Sequence, residues 1–105
     1  LYMEKKMIIN GNETEISWRK VISMVIETWR KVYNGKIINI IVKHDDWWYQ
    51  AFVNEKPITK ADGSLESLHN ILYGNGCQRK IKENSFEEKY VDLMNWQKID
   101  WHKIF

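Results

Sequence analysis

The sequence predicts a small single α+β domain: an antiparallel sheet from two β-hairpins, packed against a long helix in the N-terminal half and one or two C-terminal helices (ββαββαα). Three observations predict it. Asn10-Gly11 separates two short β-prone arms, a long amphipathic stretch begins at Ser17, and two Val/Ile/aromatic runs flank His44-Asp45-Asp46. With 105 residues, residues 1–105 are read as one unit able to bury a core without a second domain. Residues 1–3 are read as an expression remnant or a literally translated UUG start, and carry no structural weight.

Taken in order, "MIINGNETEI" is the first hairpin, because Asn-Gly tolerates the two positive φ values of a type I′ turn. "SWRKVISMVIETWRKVYNG" is the long helix, with Ser17 as N-cap and Gly35 past its end. Trp18, Val21, Ile22, Val25, Trp29, Val32 and Tyr33 fall on one helical face. "KIINIIVKHDDWWYQAFVN" is the second hairpin, and Pro57 excludes a central strand in the connection that follows. Asp62 or Ser64 caps a short helix carrying Leu65, Leu68, Ile71 and Leu72, which stops at "YGNG". "CQRKIKEN" is a loop. Ser85 and Glu88 then form a capping box for a last helix presenting Phe86, Tyr90, Leu93, Met94 and Trp101.

An even-numbered loop in the second hairpin sets Lys43 opposite Trp48, Val42 opposite Tyr49, Ile41 opposite Gln50 and Ile40 opposite Ala51. One face then carries Ile38, Ile40, Val42, Trp47, Tyr49, Ala51 and Val53, apolar enough to receive the long helix. The other carries Ile37, Asn39, Ile41, Lys43, Trp48, Gln50, Phe52 and Asn54. A solvent-facing sheet side is normally polar, and this one is mixed. Either the C-terminal helix covers it, through Phe86, Tyr90, Leu93 and Trp96 or Trp101, or it binds something. Adjacent strand residues face opposite ways, so one of Trp47 and Trp48 is surplus to the core; Trp48 is the choice. Met24, off the main helical stripe, adds apolar surface beyond what one sheet covers.

Sixteen basic against fourteen acidic side chains leave a net charge of +2, too weak to announce a nucleic-acid binder. The lone Cys77 fits a reducing compartment. No apolar run reaches membrane-spanning length and no signal-peptide core is present, so the expected location is cytoplasmic, without membrane attachment. Abundant isoleucine, lysine and asparagine (14, 13 and 9 residues) point to an A+T-rich coding sequence, which suits a bacterial or phage gene.

Catalytic and metal patterns are poor. His44, Asp45 and Asp46 lack the repeated spacings of zinc sites and read as a polar hairpin loop. Cys77 would serve as a nucleophile only if His69 or His102 approached it, which no local pattern supports, and the "YGNG" glycines suit a helix end better than a phosphate loop. No cofactor is expected. Arg79, Lys80 and Lys82 form the densest positive cluster, followed by Glu83, Glu87 and Glu88, which blunt its field.

The expectation is a non-catalytic, aromatic-rich binding protein: a phage or mobile-element accessory protein that docks on a larger bacterial host protein or nucleoprotein complex, such as a defence nuclease, and inhibits it. Trp48 and Phe52 are the expected apolar anchors, Lys43 and Gln50 their polar surround, and Asp45, Asp46, Arg79 and Lys80 the charged rim. The alternative is a nucleic-acid-binding regulator that uses residues 79–82 and exposed aromatics. Homodimerisation is compatible with either.

Overall fold

The structure, a computed structural model, describes residues 6–9, 12–15, 23–91 and 97–104. The expected first hairpin is present: β1 (Lys6–Ile9) pairs antiparallel with β2 (Asn12–Glu15), Ile9 opposite Asn12, which brackets positions 10 and 11. The remaining strands form a six-stranded antiparallel sheet in the order β6-β5-β4-β3-β7-β8. These are β3 (Met24–Tyr33), β4 (Lys36–Asp45), β5 (Trp48–Val53), β6 (Lys56–Pro57), β7 (Gln78–Lys82) and β8 (Ser85–Glu87). Pro57 sits on the edge strand, where a missing N–H does no harm. Among the described residues there is one α-helix, α1 (Leu65–Gly74), followed by two strands, so they do not show the order ββαββαα.

The long first helix is replaced by a strand over its described part. Residues 24–33 form β3, while Ser17, Trp18, Val21 and Ile22 lie outside the described residues. The helical spacing of Val25, Trp29, Val32 and Tyr33 was real, but Val25, Ile26, Thr28 and Val32 are β-branched and pack well on a pleated surface. Asn34 and Gly35 decide the matter. Both take positive φ (50° and 74°) and turn β3 directly into β4, so Gly35 belongs to a hairpin turn and not to a helix end.

The C-terminal helix is likewise absent where described. "CQRKIKEN" is not a loop but β7 and its turn, and Ser85 starts β8 instead of capping a helix. Residues 88–91 and 97–100 have no regular structure, Trp101–Lys103 form a 3-10 turn, and Leu93, Met94 and Trp96 lie outside the described residues. A Ser-x-x-Glu spacing fits a capping box only if a helix follows. Here the cross-strand partners of residues 85–87 on β7 take precedence.

The short helix forms as expected. Ser64 Oγ accepts from Ser67 N at 3.3 Å, and Asn75 and Gly76 (φ 76°) end the helix within "YGNG". Leu68, Leu72 and Tyr73 of α1 are buried against Trp29, Ile38, Ile40, Val42, Ala51 and Val53 on one sheet face. Ile99 and Trp101 complete this core. Asn75 ties that tail down: its side chain donates to Gln97 O (3.0 Å) and accepts from Ile99 N (2.9 Å).

Candidate interaction surface

β4 and β5 pair two residues away from the expected register, with Ile41 opposite Phe52, Val42 opposite Ala51, Lys43 opposite Gln50 and Asp45 opposite Trp48. A shift of two preserves the faces. Ile38, Ile40, Val42, Ala51 and Val53 are buried as expected, while Ile37, Asn39, Ile41, Lys43, Trp48, Gln50 and Phe52 share the opposite side. The shift moves the turn to Asp46-Trp47, with Asp46 at φ 54°. Trp47 therefore leaves the core face to which it was assigned and stands at the turn tip, 81% exposed. Trp48 is 45% exposed and leans over Gly63. Both tryptophans, not one, are outside the core.

The side of the sheet opposite α1 extends across β3 and β7. Register places Val25, Thr28, Arg30 and Val32 beside Lys43, Ile41, Asn39 and Ile37. Gln78 follows beside Arg30, with Lys80 and Phe86 beyond. Val25, Val32 and Ile37 are each more than half exposed. Two cations lie over rings on this side: Lys43 Nζ at 5.0 Å from the Phe52 centroid and the Arg30 guanidinium at 4.0 Å from that of Phe86. The C-terminal segment does not supply the expected cover through the residues described, since Tyr90 is 83% exposed and Trp101 belongs to the core on the α1 side.

The expected site residues divide accordingly. Lys43, Asp45, Trp48, Gln50 and Phe52 come together on β4 and β5, and Asp46 sits in the turn beside them. Gln50 is tied sideways, donating to Thr59 O at 2.7 Å. Lys80 is on the same side of the sheet but on β7, across β3. Arg79 faces the opposite way, beside Trp29.

Arg79 is part of a half-buried polar network that the sequence did not reveal. Its guanidinium donates to Glu87 Oε2 from Nε (3.1 Å) and Nη2 (2.7 Å), and lies 3.4 Å from Glu27 Oε2. Glu27 Oε1 also accepts from Trp29 Nε1 at 3.1 Å and contacts His69 Nε2 at 2.6 Å. Tyr73 OH donates to Glu87. Burial, then this bond, pushes the Tyr73 hydroxyl up to about 12. The Tyr73 and Arg79 hydrogen bonds hold the Glu87 carboxyl below its ordinary value. For Arg79, burial opposes the charge, but bonding to Glu87 and the nearby carboxylates outweigh it and raise its pKa. The His69 tautomer protonated on Nε2 satisfies both neighbours, donating to Glu27 and turning Nδ1 toward Arg79 at 3.5 Å. Both ring nitrogens thus face protein groups, and the network reads as a clamp joining α1, β3, β7 and β8. No sequence spacing could have announced it, because its members come from four separate elements.

His44 stacks on Tyr49 at 4.4 Å between ring centroids, and among the described residues no group of His, Cys, Asp or Glu is arranged to hold a metal. Cys77 is buried, which pushes its thiol up to about 12. No helix among the described residues is long and apolar enough to cross a membrane. No family model, curated protein or solved structure matches this chain.

Proposed function

We propose that the protein is a non-catalytic binding protein that docks on a larger protein through the sheet side opposite α1, with Trp47 and Trp48 as its leading anchors. The single observation carrying this is the Asp46-Trp47 turn, which holds a fully displayed indole beside a half-exposed one. Tryptophan contributes large contact area at small entropy cost and dominates binding hot spots. Asp45, Asp46 and Lys43 supply charges around the pair that orient a partner and set association rate. In cellular terms we infer an accessory protein of a phage or mobile element that inhibits a bacterial host protein, such as a defence nuclease, by occupying a surface that enzyme needs. The A+T-rich composition motivates that inference.

The test is capture of the partner from lysate of an A+T-rich bacterial host treated with nuclease, followed by titration of the captured enzyme's activity. Activity falling to zero at a fixed stoichiometry supports inhibition. A captured protein whose activity is unchanged by saturating addition contradicts it.

A second reading, single-stranded nucleic-acid binding, is favoured by the cation-ring pairs at Lys43/Phe52 and Arg30/Phe86 on the same side. It draws on Lys43, Arg30 and Lys80, because Arg79 is committed to carboxylates. It predicts affinity that falls steeply with salt, whereas apolar docking tolerates moderate salt.

A further inference from the structure

β3 pairs with β4 from Met24 to Tyr33, but with β7 only at Trp29–Arg79 and Arg30–Gln78. Past that contact the β3–β7 ladder ends, although β7 goes on pairing with β8 along its other edge. The gap is an open cleft of about 550 Å³ lined by residues 25–28 and 79–82. Among the described residues, nothing pairs with residues 24–28 on this side. A row of unpaired main-chain N–H and C=O groups is a template for another strand.

The chemistry of the walls specifies that strand. Val25 (56% exposed) and Ile81 (52%) offer apolar contacts, and Lys80 and Lys82 have no ion-pair partner among the described residues. Glu27, the one carboxylate among the described wall residues, is already held by His69 and Arg79. The free charge facing an occupant is therefore positive. Among the described residues no aromatic ring lines the cleft, so a nucleic-acid strand would find cations among them but no plane for stacking its bases. A polypeptide finds hydrogen-bond partners, apolar contacts and charge together.

We propose that this cleft takes up an extended acidic segment of the partner by strand addition along β3. The proposal rests on the reading of the protein as one that docks on another protein, but it does not use Trp47 or Trp48.

The probe is a short fluorescent peptide alternating glutamate and valine, titrated by anisotropy with amide hydrogen exchange followed at residues 24–28. Saturable binding with slowed exchange at those residues is expected. Methylating alternate peptide nitrogens should weaken it by about tenfold or more, since the side chains remain but the main-chain donors are lost. Lys80→Glu with Lys82→Glu should do the same through charge, and both positions are exposed, so the fold survives. Unaltered binding of the methylated peptide to the wild-type protein would overturn the proposal, as would no saturation at millimolar peptide. Displacement by an oligothymidylate that binds more tightly would overturn it in favour of nucleic acid. Peptide binding that persists in Trp47→Ala/Trp48→Ala, while docking of the whole partner is lost or kept, separates failure of the earlier reading from failure of this one.

Discussion

Trp29 and Trp47 show how differently one residue type behaves in this chain. Trp29 is 2% exposed, edge-on to Tyr73 at 4.9 Å between ring centroids, and its N–H is satisfied by Glu27. Trp29→Ala should destabilise the fold by about 3–5 kcal/mol in denaturant titration. Trp47→Ala should leave stability within about 0.5 kcal/mol of wild type, because a side chain 81% exposed loses little packing. The polar network adds a pH signature at both extremes. The folded Glu87 carboxyl lies below its ordinary 4.5, so its stabilisation is present above pH 4.5 and is lost as pH falls through its folded value. Glu87→Gln should flatten the acid limb of a stability-pH curve. Tyr73 and Cys77 keep their protons up to about 12, against ordinary values of 10.0 and 9.0. The unfolded chain ionises first, so stability should hold below pH 9 and decline toward pH 12, as thermal melts across that range would record. At this scale the sequence marked the Trp47-Trp48 pair as anomalous by strand alternation alone. It gave no sign that Glu27, His69, Tyr73, Arg79 and Glu87 would meet.

Among the elements, α1 was legible and β3 was not, and the difference lies in where each one's determinants sit. Ser64, the Leu65/Leu68/Ile71/Leu72 spacing and the glycines of "YGNG" are all within the helix or at its ends. Ser64→Ala should cost about 1 kcal/mol by removing the N-cap acceptor, measurable by chemical denaturation. β3 depends on partners outside itself, the adjacent β4 on one side and the distant β7 on the other, and its helical period was a coincidence of Val25, Trp29 and Val32. The Asn34-Gly35 dipeptide carried the contrary signal, the same one that marks the first hairpin. Gly35 has open space around a hypothetical Cβ but holds φ 74°, so Gly35→Ala should destabilise by about 1 kcal/mol through backbone strain alone. The last helix failed for a related reason. Phe86 and Glu87 face opposite sides of β8, one over Arg30 and the other to Arg79 and Tyr73, an alternation that a helical template cannot represent.

In the molecule as a whole, the described core lies on one side of the six-stranded sheet, and the residues on the other side mix rings, cations and β-branched chains. That asymmetry follows from alternation in β4 and β5 even with the pairing two residues off, because an even shift leaves the paired side chains on their own faces; Trp47, moved into the turn, is the exception. The central claim is that this side, led by Trp47 and Trp48, is the contact surface for a protein partner. Its most direct test is the dissociation constant of the nuclease-treated, captured partner for the wild type and for Trp47→Ala/Trp48→Ala, each verified as folded by circular dichroism and compared at low and moderate salt. The account predicts a loss of about 2 kcal/mol or more in the double variant, with little change between the two salt conditions. Equal affinity of a folded double variant, or binding that collapses with salt and with nuclease, would contradict it.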